Sequence, residues 1–159
     1  MVHLLISISL QRLSILDGEH LIKQYDISTA LNGAGELANT GCTPRGQHCI
    51  RAKIGDGLPL NAVMVGRRFT GEIYSQELAK AFPNRDWILT RILWLSGLEP
   101  GVNRLGDRDS MQRYIYIHGT PDSEPMGVPL SHGCVRMRNS DLIEVFNLVE
   151  SGTRVDIKE

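Results

Sequence analysis

The chain has 159 residues, a length within the range of one domain able to bury most of the apolar surface it would expose unfolded. Apolar residues make up 42% and charged residues 22%, which excludes a disordered or collagen-like chain. Seventeen basic and eighteen acidic side chains leave a formal charge of −1, so no chain-wide positive field exists to gather nucleic acid or anionic lipid, and neither is expected as a partner.

The opening stretch, Met1 to Leu16, is rich in Leu and Ile. Ser7, Ser9, Gln11, Arg12 and Ser14 interrupt it, no basic region precedes it and no small-residue cleavage site follows, so it is not read as a signal peptide. If Met1 is the native start, the expected location is the cytoplasm, or the periplasm if an export sequence once preceded it. Ile6 to Gln11 alternates apolar and polar residues with the period of a half-buried strand. Asp17-Gly18 is a good hairpin turn because both residues tolerate positive φ. His20 to Ile27 then pairs back antiparallel, and Thr29 to Gly46 is a loop ending in the turn Thr43-Pro44-Arg45-Gly46. Gln47 to Ile54 reads as a strand closed by Gly55-Asp56-Gly57.

Arg67-Arg68 is read as a solvated surface cluster neutralised by nearby acids. Tyr74 to Phe82 has the spacing of a short helix stopped by Pro83-Asn84. Trp87 to Leu95 is dense in Ile, Leu and Trp and reads as a buried strand, with Trp87 and Trp94 as core packing. Gly101 to Arg113 is polar and expected as a surface loop, and Arg113 to His118 is a strand of β-branched and aromatic residues that leaves His118 at its end. Asp141 to Glu150 is the clearest helix, with Leu142, Val145, Phe146 and Val149 at helical period, Asp141 and Glu144 as a capping pair and Gly152 as its stop. Val155 to Ile157 is a last strand. Without a repeat or linker, residues 1–159 are expected to form a single domain.

Cys42, Cys49 and Cys134 are too few for a disulfide scaffold, and their odd number leaves at least one thiol free. Cys42 and Cys49 could pair in an oxidising compartment; in a reducing cytosol both are expected as thiols. Cys42, His48 and Cys49 fall short of the four ligands a structural zinc site normally uses. No metal and no cofactor are expected.

The informative residues concentrate between His118 and Arg136. A thiol near two imidazoles is a nucleophile with a base available, and a neighbouring imidazolium can lower the thiol pKa from about 8.5 by several units. Gly133 lets an amide carbonyl approach Cys134 while backbone N–H groups turn toward its oxygen, and Arg136 adds a positive charge for a substrate carboxylate.

Ile117-His118-Gly119-Thr120, then Gly127, then Ser131-His132-Gly133-Cys134-Val135-Arg136-Met137 resembles the signature of the L,D-transpeptidase (YkuD-type) catalytic domain family. Thr43-Pro44-Arg45-Gly46 and Gly152-Thr153-Arg154-Val155 resemble that family's Thr-Pro-x-Gly turn and closing strand. The resemblance implies a mainly β fold, a β-sandwich of mixed sheets with one or two short helices, and acyl transfer through a thioester. It implies that Cys134 attacks the L-centre carbonyl of a diamino acid in a peptidoglycan stem tetrapeptide, releasing D-alanine, with His118 as base and the Gly119 carbonyl fixing its tautomer.

By the same resemblance His132 is an orienting or oxyanion-side group, and the N–H groups of Gly133 and Cys134 are oxyanion donors. Arg136, Ser131 and Thr120 would bind substrate, and a carbapenem would acylate Cys134. Arg136 stands where other members carry asparagine. In a cytoplasmic setting without acceptor strands, hydrolysis (an L,D-carboxypeptidase trimming recycled muropeptides) is expected over cross-linking. A silent muropeptide-binding module is the alternative from another class.

Overall fold

The computed structural model describes residues 1–159. Ten strands follow in chain order: β1 (Val2–Ser7), β2 (Arg12–Asp17), β3 (His20–Ser28), β4 (Gly46–Ile54), β5 (Ala62–Val65), β6 (Arg68–Ile73), β7 (Ile88–Gly97), β8 (Tyr116–Thr120), β9 (Val135–Arg138) and β10 (Arg154–Lys158). A six-residue helix α1 (Gln76–Ala81) lies between β6 and β7, and α2 (Asn139–Leu148) follows β9 directly. No helix is long and apolar enough to cross a membrane.

The mainly β, mixed architecture is the expected one; its two layers belong to a single sheet. The strand order is β4-β10-β1-β2-β3-β9-β8-β7-β5-β6, and β4 also pairs with β7, so eight strands close into a ring. β1 with β10 and β8 with β9 run parallel, and the remaining pairs are antiparallel. The β5–β6 hairpin branches from the start of β7, beside the irregularity between Leu89 and Ile92. Ring closure also removes the free edges of those eight strands.

Side-chain alternation then sorts residues onto the two faces. Ile117 and Val135 join Leu93, Leu95, Met137 and residues of β1, β2 and β10 in the main core, which Leu142, Val145 and Phe146 of α2 complete. Tyr116 and Ile92 turn the other way and form a smaller cluster with Met64 of the hairpin, packed by Trp94 and Cys134. The residues of chemical interest therefore stand on the outer face of β7–β8–β9, beside the hairpin.

Several boundaries differ from the sequence reading. The first strand is Val2–Ser7 and a turn at 8–11 replaces the expected strand Ile6–Gln11, because Gln11 is held at φ +51° and its side chain is buried against Ile8 O and Thr29. Helix α2 begins at Asn139, two residues earlier, with Arg138 as a cap that makes no side-chain bond, so Asp141–Glu144 is not a capping box. Gly152 has φ +93° but lies beyond the helix cap at Val149. Asn103, Asp109 and Ser110 of the expected surface loop are buried, and β5, β6 and β9 were not anticipated as strands. Trp87 and Trp94 are only half-buried: Arg85 covers the first, while Arg51 and Arg67 cover the second.

Candidate active site

Parallel pairing of β8 and β9 builds the site. Ile117 faces Val135 and His118 faces Arg136 in the ladder, so Cys134, one residue before β9, comes alongside Tyr116. The Tyr116 N–H points at Cys134 Sγ from 3.4 Å, and the Sγ lies 3.4 Å from Tyr114 O. His118, 1% exposed, has Nδ1 2.6 Å from Gly119 O, which leaves Nε2 as the ring's other functional nitrogen. Cys134 and His118 line one cavity of about 440 Å³ together with Arg67, Asp86, Tyr116, His132 and Arg136.

The loop that presents Cys134 is fixed from below. Ser131 Oγ donates to Cys134 O at 2.5 Å and accepts from Gly133 N at 3.2 Å, and Thr43 Oγ1 donates to Gly133 O at 2.8 Å. Gly133 has φ +134°, and a Cβ there would come within 3.2 Å of Cys42 O, so only glycine suits this turn. Arg113 braces the facing loop by donating to Cys42 O at 2.6 Å and to Glu36 O at 3.1 Å. The Thr-Pro-x-Gly turn thus supports the nucleophile's loop directly.

A second support lies under His118. Gly119 packs against Asn139, whose Oδ1 would stand 2.1 Å from any Cβ at position 119. Asn139 accepts from Thr90 Oγ1 at 2.7 Å and donates to Thr120 O and Asn61 Oδ1, each at 3.0 Å. This buried network ties the hairpin base, the irregularity in β7, the end of β8 and the first turn of α2 together. In low dielectric such fully paired networks are stiff.

Electrostatics correct one expectation. Burial pushes the Cys134 thiol up to about 12, an effect that Asp86 reinforces and that the Tyr116 N–H, Arg136 and Arg113 oppose. Burial likewise lowers the His118 imidazole, with the Gly119 carbonyl and Asp86 pulling the other way. Burial thus favours the neutral form of both groups, the direction opposite to an imidazolium that depresses the thiol.

The remaining anticipated residues fall in different places. His132 is 76% exposed at the rim, with Nδ1 3.7 Å from Asp86 Oδ1, and Arg136 Nη2 is 3.5 Å from the same oxygen. Ser131 and Thr120 are each 2% exposed: the Ser131 hydroxyl is engaged in the turn while the residue lines the cavity, and Thr120 lines a neighbouring cavity with Asp86, His132 and Arg136. The Gly133 N–H is likewise taken by Ser131, whereas the Cys134 N–H has no acceptor within the protein. His48 is buried between Gly46 O and Ser110 Oγ, and the three cysteines are unpaired.

Asp86 and Asn139 have no place in the sequence reading, and Arg67 stands there only as a solvated surface residue. Asp86 lies near both rim side chains, His132 and Arg136, Arg67 enters the cavity from the hairpin, and Asn139 underlies Gly119. Nothing in the local sequence marks the first two, since strand pairing over long separations brings them in. Asn139, a poor helix former that opens α2 with its side chain committed to neighbouring strands and loops, is the one of the three with a weak local signal.

A buried imidazole and a thiol line one cleft, and the thiol's own backbone N–H is without a partner, so a base, a nucleophile and a donor are available there. The family model for the YkuD L,D-transpeptidase catalytic domain matches residues 1–157, and the chain belongs to that family. It is 49% identical over 46 residues to the putative L,D-transpeptidase YkuD of Bacillus subtilis, a segment that is 29% of this chain and 28% of that relative. Among solved structures it resembles L,D-transpeptidase 3 of Mycobacterium tuberculosis bound to a faropenem-derived adduct, with a TM-score of 0.57 and 16% identity over 99% of this chain and 60% of that one. It also resembles LD transpeptidase LdtMt1 in complex with imipenem, with a TM-score of 0.57 and 14% identity over 98% of this chain and 58% of that one. The chain spans well under two thirds of these proteins. At such identities the structural likeness concerns the fold.

Proposed function

We propose that this chain cleaves the amide between the L-centre of a diamino acid and a terminal D-alanine in a peptidoglycan stem tetrapeptide, with Cys134 as nucleophile. The observation that carries this is the placement of Cys134 Sγ and the His118 imidazole in one cavity, with Gly119 O holding Nδ1. His118 then acts as a true general base: Nε2 takes the thiol proton as sulfur attacks the carbonyl carbon, because neither charge is stable beforehand. The Cys134 N–H is the best placed oxyanion donor, and the Tyr116 N–H, now directed at the sulfur, is the second. The protonated imidazole gives its proton to the leaving amine, D-alanine departs, and a thioester remains on Cys134.

Water deprotonated by His118 completes an L,D-carboxypeptidase cycle and restores the free thiol, leaving a tripeptide. We favour this outcome because it needs no group beyond those named. An acceptor amine would instead make the enzyme an L,D-transpeptidase, a reading the family membership favours. We also propose that a carbapenem acylates Cys134, as the imipenem complex of a structural neighbour suggests.

The test is incubation of the protein with a tetrapeptide ending in D-alanine, with and without an amine acceptor, followed by mass spectrometry. Tripeptide formed without acceptor supports hydrolysis, and a joined product with acceptor supports transfer. Unchanged substrate would point to a silent binding module, and a fully active Cys134→Ala protein would remove the mechanism.

A further inference from the structure

The cavity holds a cation with no acidic partner. Arg67 stands at the tip of the β5–β6 hairpin, where Gly66 and Arg67 have φ of +57° and +64°. Two successive positive φ values give the tight turn that matches the twist of paired strands, and glycine or asparagine is favoured in them. An arginine there holds a backbone form that L-residues seldom adopt. Its side chain is nevertheless not released to water.

The guanidinium lies 4.9 Å from the Trp94 ring centre and 4.8 Å from that of Tyr114, and it donates to the Tyr116 hydroxyl at 3.0 Å. None of these partners is an acid, and Arg67 takes part in none of the chain's ion pairs. The expectation that acids neutralise the Arg67-Arg68 pair is thus not met. Arg136, the other guanidinium in the cavity, already has Asp86 within 3.5 Å. A planar cation laid against aromatic rings keeps N–H edges free and fixed in direction, the arrangement suited to gripping a carboxylate in two places.

We propose that Arg67 is the carboxylate receptor of this cleft. It takes a free carboxylate of the peptide substrate, either the terminal one on the departing D-residue or one on the second centre of the diamino acid. This rests on the reading of the cleft as a site for wall peptides, and Arg67 sets specificity there without taking part in bond making.

The first test needs no substrate. Alkylation of Cys134 by iodoacetate and by iodoacetamide, followed by peptide mapping to separate it from Cys42 and Cys49, reports local preference for an anion. The wild-type ratio of the two rates is expected to fall about tenfold in Arg67→Gln, the scale on which charge in a cleft concentrates an anion, with the iodoacetamide rate little changed. Arg67→Lys should keep part of it. An unchanged ratio, or a Cys134 that reacts with neither reagent, overturns the proposal.

The second test compares tetrapeptides that differ in one carboxylate. Arg67→Gln should raise KM about tenfold with kcat nearly unchanged, and the effect should vanish for whichever analogue lacks the recognised group. Loss of the effect with a C-terminal amide identifies the departing residue; loss with lysine in place of a carboxylated diamino acid identifies the second centre. Equal impairment on every analogue overturns the assignment. If the wild type consumed no tetrapeptide while the alkylation ratio still fell, the anion receptor would stand and the proposed reaction would fail.

Discussion

Replacing Thr43 by valine should weaken the fold and loosen the nucleophile's loop together. Thr43 is fully buried, its Oγ1 donates to Gly133 O at 2.8 Å and accepts from Ala30 N at 3.0 Å, and valine keeps its shape while removing both bonds. A buried backbone group left without a partner costs about 1–3 kcal/mol, so two such groups predict a loss of about 2–6 kcal/mol. Thr43→Ser keeps both bonds and removes one methyl, for about 1 kcal/mol. Urea unfolding with an unchanged m-value gives the stability difference, and the iodoacetamide rate at Cys134 reports the loop. A valine variant within about 0.5 kcal/mol of wild type would refute the argument that this hydroxyl carries the loop, since that is the range of an ordinary surface change.

Further expectations follow from the charges. Burial lowers both His48 and His118 below the ordinary histidine value of about 6.5, so the unfolded chain takes up protons first as pH falls; stability is whole above about pH 6.5 and declines below it. Urea midpoints that stay level from about pH 7.5 to 5.5 would contradict this. Asp86 raises the Cys134 thiol, so Asp86→Asn should quicken alkylation at about pH 8 by roughly two- to tenfold, and a slower rate would reverse the assigned sign. Imipenem should add its mass to the wild-type chain and not to Cys134→Ala. An adduct on both would place acylation elsewhere.

How far the site was legible depended on sequence distance. Tyr116, Ile117 and His118 alternate, so a strand carrying the histidine could be read locally, but β8 begins at Tyr116 instead of Arg113 and runs on to Thr120, which puts His118 at its centre and not at its end; the Ser-His-Gly-Cys run carried the nucleophile. The roles of Ser131 and Gly133 could not, because whether a hydroxyl or an amide is free depends on a turn that closes on itself. Burial is the first influence on both the thiol and the imidazole, and it too is invisible to spacing, which shows proximity alone. The sheet's closure through β4 and β7, and the arrival of Arg67 and Asp86, arise from pairings between residues tens of positions apart. The β5–β6 hairpin escaped notice because its turn carries arginine where glycine or asparagine would have announced it.

The position of β10 has a consequence for biosynthesis. Val155 and Ile157 lie between Leu4 and Ile6 of β1 on one side and His48 and Gly46 of β4 on the other. The wall of strands therefore stays open while the ribosome still holds residues 154–158. Until β10 pairs on both sides the scaffold around Cys134 is unfinished, and deletion of residues 154–158 should be felt at Cys134, which β10 does not pair with.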